Sequence, residues 1–217
     1  SDVYKRQKLV KYSADAWTVE GDPILVDRTG GTLVAWAPAA LAVTTSASGA
    51  EYTLTAQKDA AAQDLIYQHQ SVNAANAGAV AVEMGHAYST LSFLATAGNG
   101  YTGAANLTQV QITGGIYATG TLNMVDGKVD PVGTATLTLA AGEKALVIPM
   151  AGQPTIAVTC TIDGKEFTAN IKADTMPSLL AGVEYEITLT VVGQEAVISS
   201  VKEVPWTTTK VDGGTIF

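Results

Sequence analysis

Hydrophobic and polar residues alternate two by two along most of this chain. The clearest run is Val183-Glu184-Tyr185-Glu186-Ile187-Thr188-Leu189-Thr190-Val191, where every odd position is apolar and every even one is Glu or Thr. Successive side chains of a strand leave opposite faces, so this pattern predicts a strand with one face in a core and the other in water. Residues 155–172 read as a hairpin around Asp163-Gly164, a favoured pair for a two-residue type I′ turn. That turn sets Ile162 against Lys165, Cys160 against Phe167, Val158 against Ala169 and Ile156 against Ile171. A one-residue slip would scatter the apolar pairs over both faces. A second such pair, Asp126-Gly127, predicts Met124 opposite Val129.

The same alternation predicts strands at residues 31–36, 51–56, 80–86, 91–95, 109–113, 134–139, 145–149 and 196–201. Helical signal is confined to a turn or two within residues 58–67. Many short strands without intervening helices predict an all-β chain of antiparallel sandwiches. An Ala- and Asn-rich stretch at residues 73–81 gives way to regular hairpins, which predicts a boundary near residue 96. An N-terminal sandwich domain is expected over residues 8–96 and a C-terminal one over residues 97–217. Residues 1–7 (SDVYKRQ) resemble the translated end of a sequencing adapter and are set aside. Any export or lipidation signal is then expected to have been lost from the visible N-terminus.

Composition narrows the function. The 217 residues are 47% hydrophobic and only 15% charged, too apolar for a disordered segment. A net charge of -8 without any Lys or Arg cluster argues against nucleic acid and against an electrostatic hold on anionic membranes. No apolar run approaches the roughly 18 residues a spanning helix needs. The lone cysteine, Cys160, rules out an intrachain disulfide, and its place in the hairpin register makes it a small core residue.

Candidate chemistry is sparse. Gly98-Asn99-Gly100-Tyr101-Thr102-Gly103 matches G-x-G-x-x-G, but residues 104–113 turn into strand-like alternation instead of opening a helix. Dinucleotide binding requires that helix, so the motif reads as a glycine-rich hairpin loop and no cofactor is expected. His69 and His86 are the only histidines, and neither has metal-ligand spacing to a second ligand. Glu83 precedes His86 by three, an opposite-face spacing on a strand. His86 shares the parity of Val80, Val82 and Met84, so it is expected to point inward and bond a backbone carbonyl. No G-x-S-x-G elbow occurs, and the carboxylates are scattered over turns and wet faces. No catalytic residue and no metal site is expected. Asn106-Leu107-Thr108 is a formal N-glycosylation acceptor.

Several segments, in this order, resemble the fimbrillin (Mfa-like) family of Bacteroidales surface fimbriae. Tyr12 and Trp17 ahead of Pro23 are similar to its aromatic-rich opening strands. Thr32-Leu33-Val34-Ala35-Trp36-Ala37-Pro38 is similar to its strand with an aromatic before Pro. Gln63-Asp64-Leu65-Ile66-Tyr67 resembles its Asp-Leu-Leu-Tyr motif, and Met84-Gly85-His86-Ala87-Tyr88-Ser89-Thr90-Leu91 its Phe-x-His-Ala-Leu-Ser-Lys-Leu strand. Ala181-Gly182-Val183-Glu184-Tyr185 and Val201-Lys202-Glu203-Val204-Pro205-Trp206 close the domain as family members do. Gln68, Tyr88 and Thr90 depart from the usual Ala, Leu and Lys, marking a divergent member.

The resemblance implies two tandem transthyretin-like, Greek-key sandwich domains, exported as a lipoprotein to the outer-membrane surface. It implies partners in other pilin subunits, joined when a strand of one subunit fills a groove in the next. Free N–H and C=O groups of an edge strand accept such an addition. The candidate donor here is the tail ending in Thr215-Ile216-Phe217 after Gly213-Gly214. Asp174-Thr175-Met176 resembles the O-glycosylation acceptor of Bacteroidetes secreted proteins, which makes Thr175 the candidate acceptor. The alternative is a surface-anchored module binding glycans or a host or bacterial surface protein. It would need exposed rings gathered on one face, drawn from Trp17, Trp36, Trp206 and Tyr101.

Overall fold

The computed structural model describes residues 10–13, 16–19, 29–46, 49–73, 80–152 and 155–206, the first two segments as backbone only. Among these residues there is no helix. The strands begin with β1 (Val10–Ser13), β2 (Ala16–Val19), β3 (Gly31–Ala37), β4 (Thr44–Ser46), β5 (Gly49–Thr55) and β6 (Gln57–Lys58). They continue with β7 (Ile66–Val72), β8 (Gly85–His86), β9 (Ser89–Ala97), β10 (Leu107–Gly114), β11 (Thr119–Asn123) and β12 (Val129–Val132). The last six are β13 (Leu137–Ala140), β14 (Ala145–Val147), β15 (Ile156–Ile162), β16 (Lys165–Ile171), β17 (Val183–Val192) and β18 (Glu195–Pro205).

The β15–β16 hairpin forms in the expected register, Ile162 against Lys165 through Ile156 against Ile171. Asp163 and Gly164 both take positive φ, +49° and +73°, as a type I′ turn demands. Cys160 lies fully buried on the apolar face of β15. The alternation of β17 is equally faithful, with Tyr185, Ile187, Leu189 and Val191 buried.

The second Asp-Gly turn is wider than expected. Leu122, not Met124, stands opposite Val129. The Asn123 side chain accepts from the Val125 N–H at 2.9 Å, and its carbonyl accepts from the Gly127 N–H at 2.8 Å. Met124 instead donates its N–H to Ala50 of β5 and fills the core. A local side-chain bond has thus outcompeted the two-residue loop. Residues 58–67 form no helix but a turn at 61–63 followed by the start of β7. Of residues 80–86 only 85–86 pair as a strand, and β13 begins at 137 instead of 134. The glycine-rich loop at 98–103 is not a hairpin loop, since β9 and β10 belong to different sheets.

A five-stranded sheet runs in the order β18-β17-β9-β14-β6 and faces a four-stranded one, β13-β10-β15-β16. Between them lies the larger core, with Leu91, Phe93, Ile112, Cys160, Phe167 and Ile187. A second four-stranded sheet, β12-β11-β5-β4, and a three-stranded one, β3-β7-β8, contribute to a smaller core around Leu54, Leu65, Tyr88, Leu122 and Met124. Strands from both sides of residue 96 share sheets, as β5 pairs with β11 and β6 with β14. β14 serves both cores, with Ala145 and Val147 in the larger and Leu146 in the smaller. This explains its unbroken apolar run, because a strand covered on both faces has no wet side to mark. The pair β9–β17 is parallel, the other pairs among the described strands antiparallel.

Candidate functional site

Two features stand at opposite ends of β9. At its C-terminal end the strand loses one neighbour. β14 pairs with residues 89–91 only, and the chain on the far side of Ala145 turns away through Gly142. β17 continues alongside to Ala97, and the Gly98 N–H still donates to Val191 at 2.8 Å. Residues 92–97 therefore keep an edge with no strand partner among the described residues. Beside it lies a groove of about 670 Å³ lined by Phe93, Ala95, Ala105, Leu107, Gly142 and Asp163, among others.

One wall of this groove is clamped by Asp163. Its carboxylate accepts from the Tyr101 hydroxyl at 2.7 Å, the Ala105 N–H at 2.9 Å and the Asn106 N–H at 2.9 Å. The Tyr101 hydroxyl, foremost, and the Asn106 N–H hold this carboxyl below the usual range. A Cβ on Gly103 would stand 2.3 Å from the Asp163 carboxylate, so the glycine permits the close packing. Turn residue and clamp are one side chain.

At the other end, three of the resembling motifs meet. His86 Nδ1 lies 2.7 Å from Asp64 Oδ2, both side chains 12% exposed. The Trp206 ring lies parallel on the imidazole, with centroids 3.7 Å apart and 3° between planes. Trp206 also donates its N–H to Gly182 at 3.0 Å and packs against the smaller core. The expected partner of His86, a backbone carbonyl, is thus replaced by a carboxylate 22 residues away. Sequence spacing carried no sign of this, although all three residues sit in segments that mark the family resemblance. Lys144 pairs with Glu184 at 2.7 Å close by. Asp59 is pushed up by burial and by Asp64, partly offset by Lys144. With one ring face covered by indole and Nδ1 held by Asp64, the imidazole works here as a packing element.

The remaining expected sites are dispersed. His69 is exposed on β7. Burial pushes the Cys160 thiol up to about 11, which makes it inert as a nucleophile. No group of three or more His, Cys, Asp and Glu among the described residues is placed to hold a metal. Thr175 is exposed in a turn and donates its hydroxyl to Asp174 at 3.1 Å, while the neighbouring Met176 is buried in the core. Trp36 is half-buried against the smaller core, and Tyr101 is engaged by Asp163. The side chain of Trp17 and all of Thr215, Ile216 and Phe217 lie outside the described residues. No described helix is long and apolar enough to cross a membrane.

Comparison with known proteins places this architecture. A solved structure of a candidate cell adhesion protein from Bacteroides uniformis matches with a TM-score of 0.62 at 21% identity, covering 82% of this chain and 73% of the other. One from Bacteroides ovatus, described in the same terms, matches with a TM-score of 0.58 at 17% identity, covering 81% and 68%. At such identities the likeness is one of fold. No curated protein matches the chain. The model of the fimbrillin-like family, however, matches residues 1–206, so this chain belongs to the fimbrillin-like family.

Proposed function

We propose that this protein is a structural, non-catalytic subunit of cell-surface fimbriae, or a fimbria-associated adhesin, and that it assembles by strand donation. Family membership supports the adhesive, surface-exposed role. The observation that carries the assembly step is the open edge of β9 beside its groove. A row of N–H and C=O groups without a partner among the described residues, beside a groove of mixed apolar and polar lining, is a template for a further strand. The donor in this reading is the tail after Trp206, ending in Thr215, Ile216 and Phe217. Its partners are other copies or other pilin subunits at the outer-membrane surface, reached by export and a lipid anchor. Each apolar core is the centre of one sandwich unit, and Thr175, on an exposed turn, is the candidate for glycan attachment.

The test is electrophoretic. The purified, processed chain is expected to form ladders that resist SDS, and a chain ending at Trp206 to run as a monomer. Monomers from both chains under processing conditions would defeat the proposal. The other reading, a glycan- or host-protein-binding module, gains nothing from Trp36 and Trp206, whose rings pack on the smaller core.

A further inference from the structure

Going beyond strand donation and independent of it, we propose that the outer face of β9, β17 and β18 is a contact surface, and that its partner is the same face of a second copy. Three observations point there. First, exposed apolar residues gather on it. Leu94, Val192 and Val197 are three of the five large apolar side chains exposed among the described residues. Leu94 stands beside Thr188 and Val197 beside Thr190, which puts them with Val192 on the side of the sheet away from the larger core. The other two are apart. Leu180 precedes β17, and Val132 shares its face with Asp130. Gathered apolar groups mark a contact surface, whereas scattered ones do not.

Second, the face carries no charge. Thr96, Thr188, Thr190, Ser199 and Ser200 fill the space between the apolar residues. Charges begin at its margins, with the Glu186–Lys202 pair at 3.2 Å and with Glu195. In a chain of net charge -8, two copies can meet here without opposing carboxylates. The outer face of the opposite sheet is nearly as free of charge. Around Thr159, however, it shows Gln111, Thr138 and Thr168, and none of the five exposed apolar side chains.

Third, its hydroxyl donors are already used. Thr96 donates to Thr190 at 2.9 Å, Thr190 to Ser199 at 2.8 Å, and Ser199 to the Thr188 carbonyl at 3.2 Å. Each hydroxyl has one proton, so covering this ladder strands no donor. The face can therefore lose its water and gain apolar burial at small cost. Methyl groups and hydroxyl oxygens have no sign to match, which makes the face self-complementary, as a two-fold contact requires. Three strands about 4.8 Å apart and some five residues long give roughly 240 Å² per copy, well under the ~800 Å² of a stable interface. A single pair is therefore short-lived, and the contact holds where many copies are arrayed side by side.

The test uses one cysteine added to the full chain, Thr190→Cys at the centre of this face, with Thr159→Cys at the centre of the opposite face as control. Both positions are half-buried. Cys160 is buried with its thiol pushed up to about 11, so it does not compete. Under mild oxidation Thr190→Cys is expected to form disulfide-linked dimers about tenfold faster than Thr159→Cys. Val197→Asp, added to Thr190→Cys, sets like charges against each other and is expected to bring the rate down to that of the control. Its melting temperature is expected to stay unchanged, because Val197 is exposed. Equal rates for the two cysteines, or a rate indifferent to Val197→Asp, would overturn the proposal. Reductant dissolves these dimers, whereas ladders from strand donation survive it. Ladders together with equal cysteine rates would defeat this face alone, and fast Thr190→Cys dimers without ladders would defeat strand donation alone.

Discussion

The two parts of β9, residues 89–91 and 92–97, are both uncharged but have opposite surroundings. Residues 89–91 lie between β14 and β17 and are 0–1% exposed, although two of the three are Ser89 and Thr90. Residues 92–97 have β17 alone, and Leu94 is 57% exposed. Two polar residues are inside, and a leucine, Leu94, is outside. In the flanked part even polar side chains are buried, whereas in the open part only the residue facing the larger core, Phe93, is buried. Ser89 meets its burial by donating to the Leu180 carbonyl at 2.8 Å, whereas the Thr90 hydroxyl has no partner among the described residues. The paired half is built for stability, and the open half leaves its hydrogen-bonding capacity unspent.

Substitutions can break this comparison. Leu91→Ala, in the paired half, is expected to cost about 2–5 kcal/mol in denaturant unfolding, through lost burial and the cavity left behind. Trp206→Ala, which removes the stack on His86 at the root of the tail, is expected to cost about 2 kcal/mol, less because the indole is only half-buried. Thr90→Val replaces an unpartnered buried hydroxyl with a methyl and is expected to raise stability by about 1 kcal/mol. A loss instead would mean the hydroxyl is bonded. Leu94→Ser, in the open half, is expected to stay within about 0.5 kcal/mol. A large loss there would show that the open half is covered after all.

The smallest effect is local and pH-dependent. The Asp163 carboxyl is depressed chiefly by the Tyr101 hydroxyl, then by the Asn106 N–H. A depressed carboxyl stabilises the fold above its unfolded value, about 3.9, and that contribution is lost as pH falls further through the folded value. Hydrogen exchange at Ala105 and Asn106 should therefore lose protection below about pH 4 while the β15–β16 amides keep theirs. Asp163→Asn keeps a residue suited to positive φ but removes the charge, and should loosen the same loop at neutral pH.

The local parts of this protein were legible in its residues. The β15–β16 hairpin and the wet and dry faces of β17 follow from alternation and from Asp163-Gly164, because a turn and a two-residue period are short-range facts. The turn at Asp126-Gly127 misled, since the Asn123 side chain bonds the backbone two residues on and widens the loop. β14 could be seen as buried but not as shared between two cores, because an apolar run does not say what covers each face.

The chain by itself determined its all-strand class, the β15–β16 hairpin register, the alternation of β17, its buried cysteine and its family. Only the tertiary structure decided that Asp64, His86 and Trp206 meet, that β9 runs parallel to a strand some 90 residues later, and that residues 92–97 of β9 keep an edge with no strand partner among the described residues. Turn chemistry and side-chain period act between neighbours in the chain. Contacts and vacant edges depend on which sheet each strand joins, and that is settled only when the two cores close together.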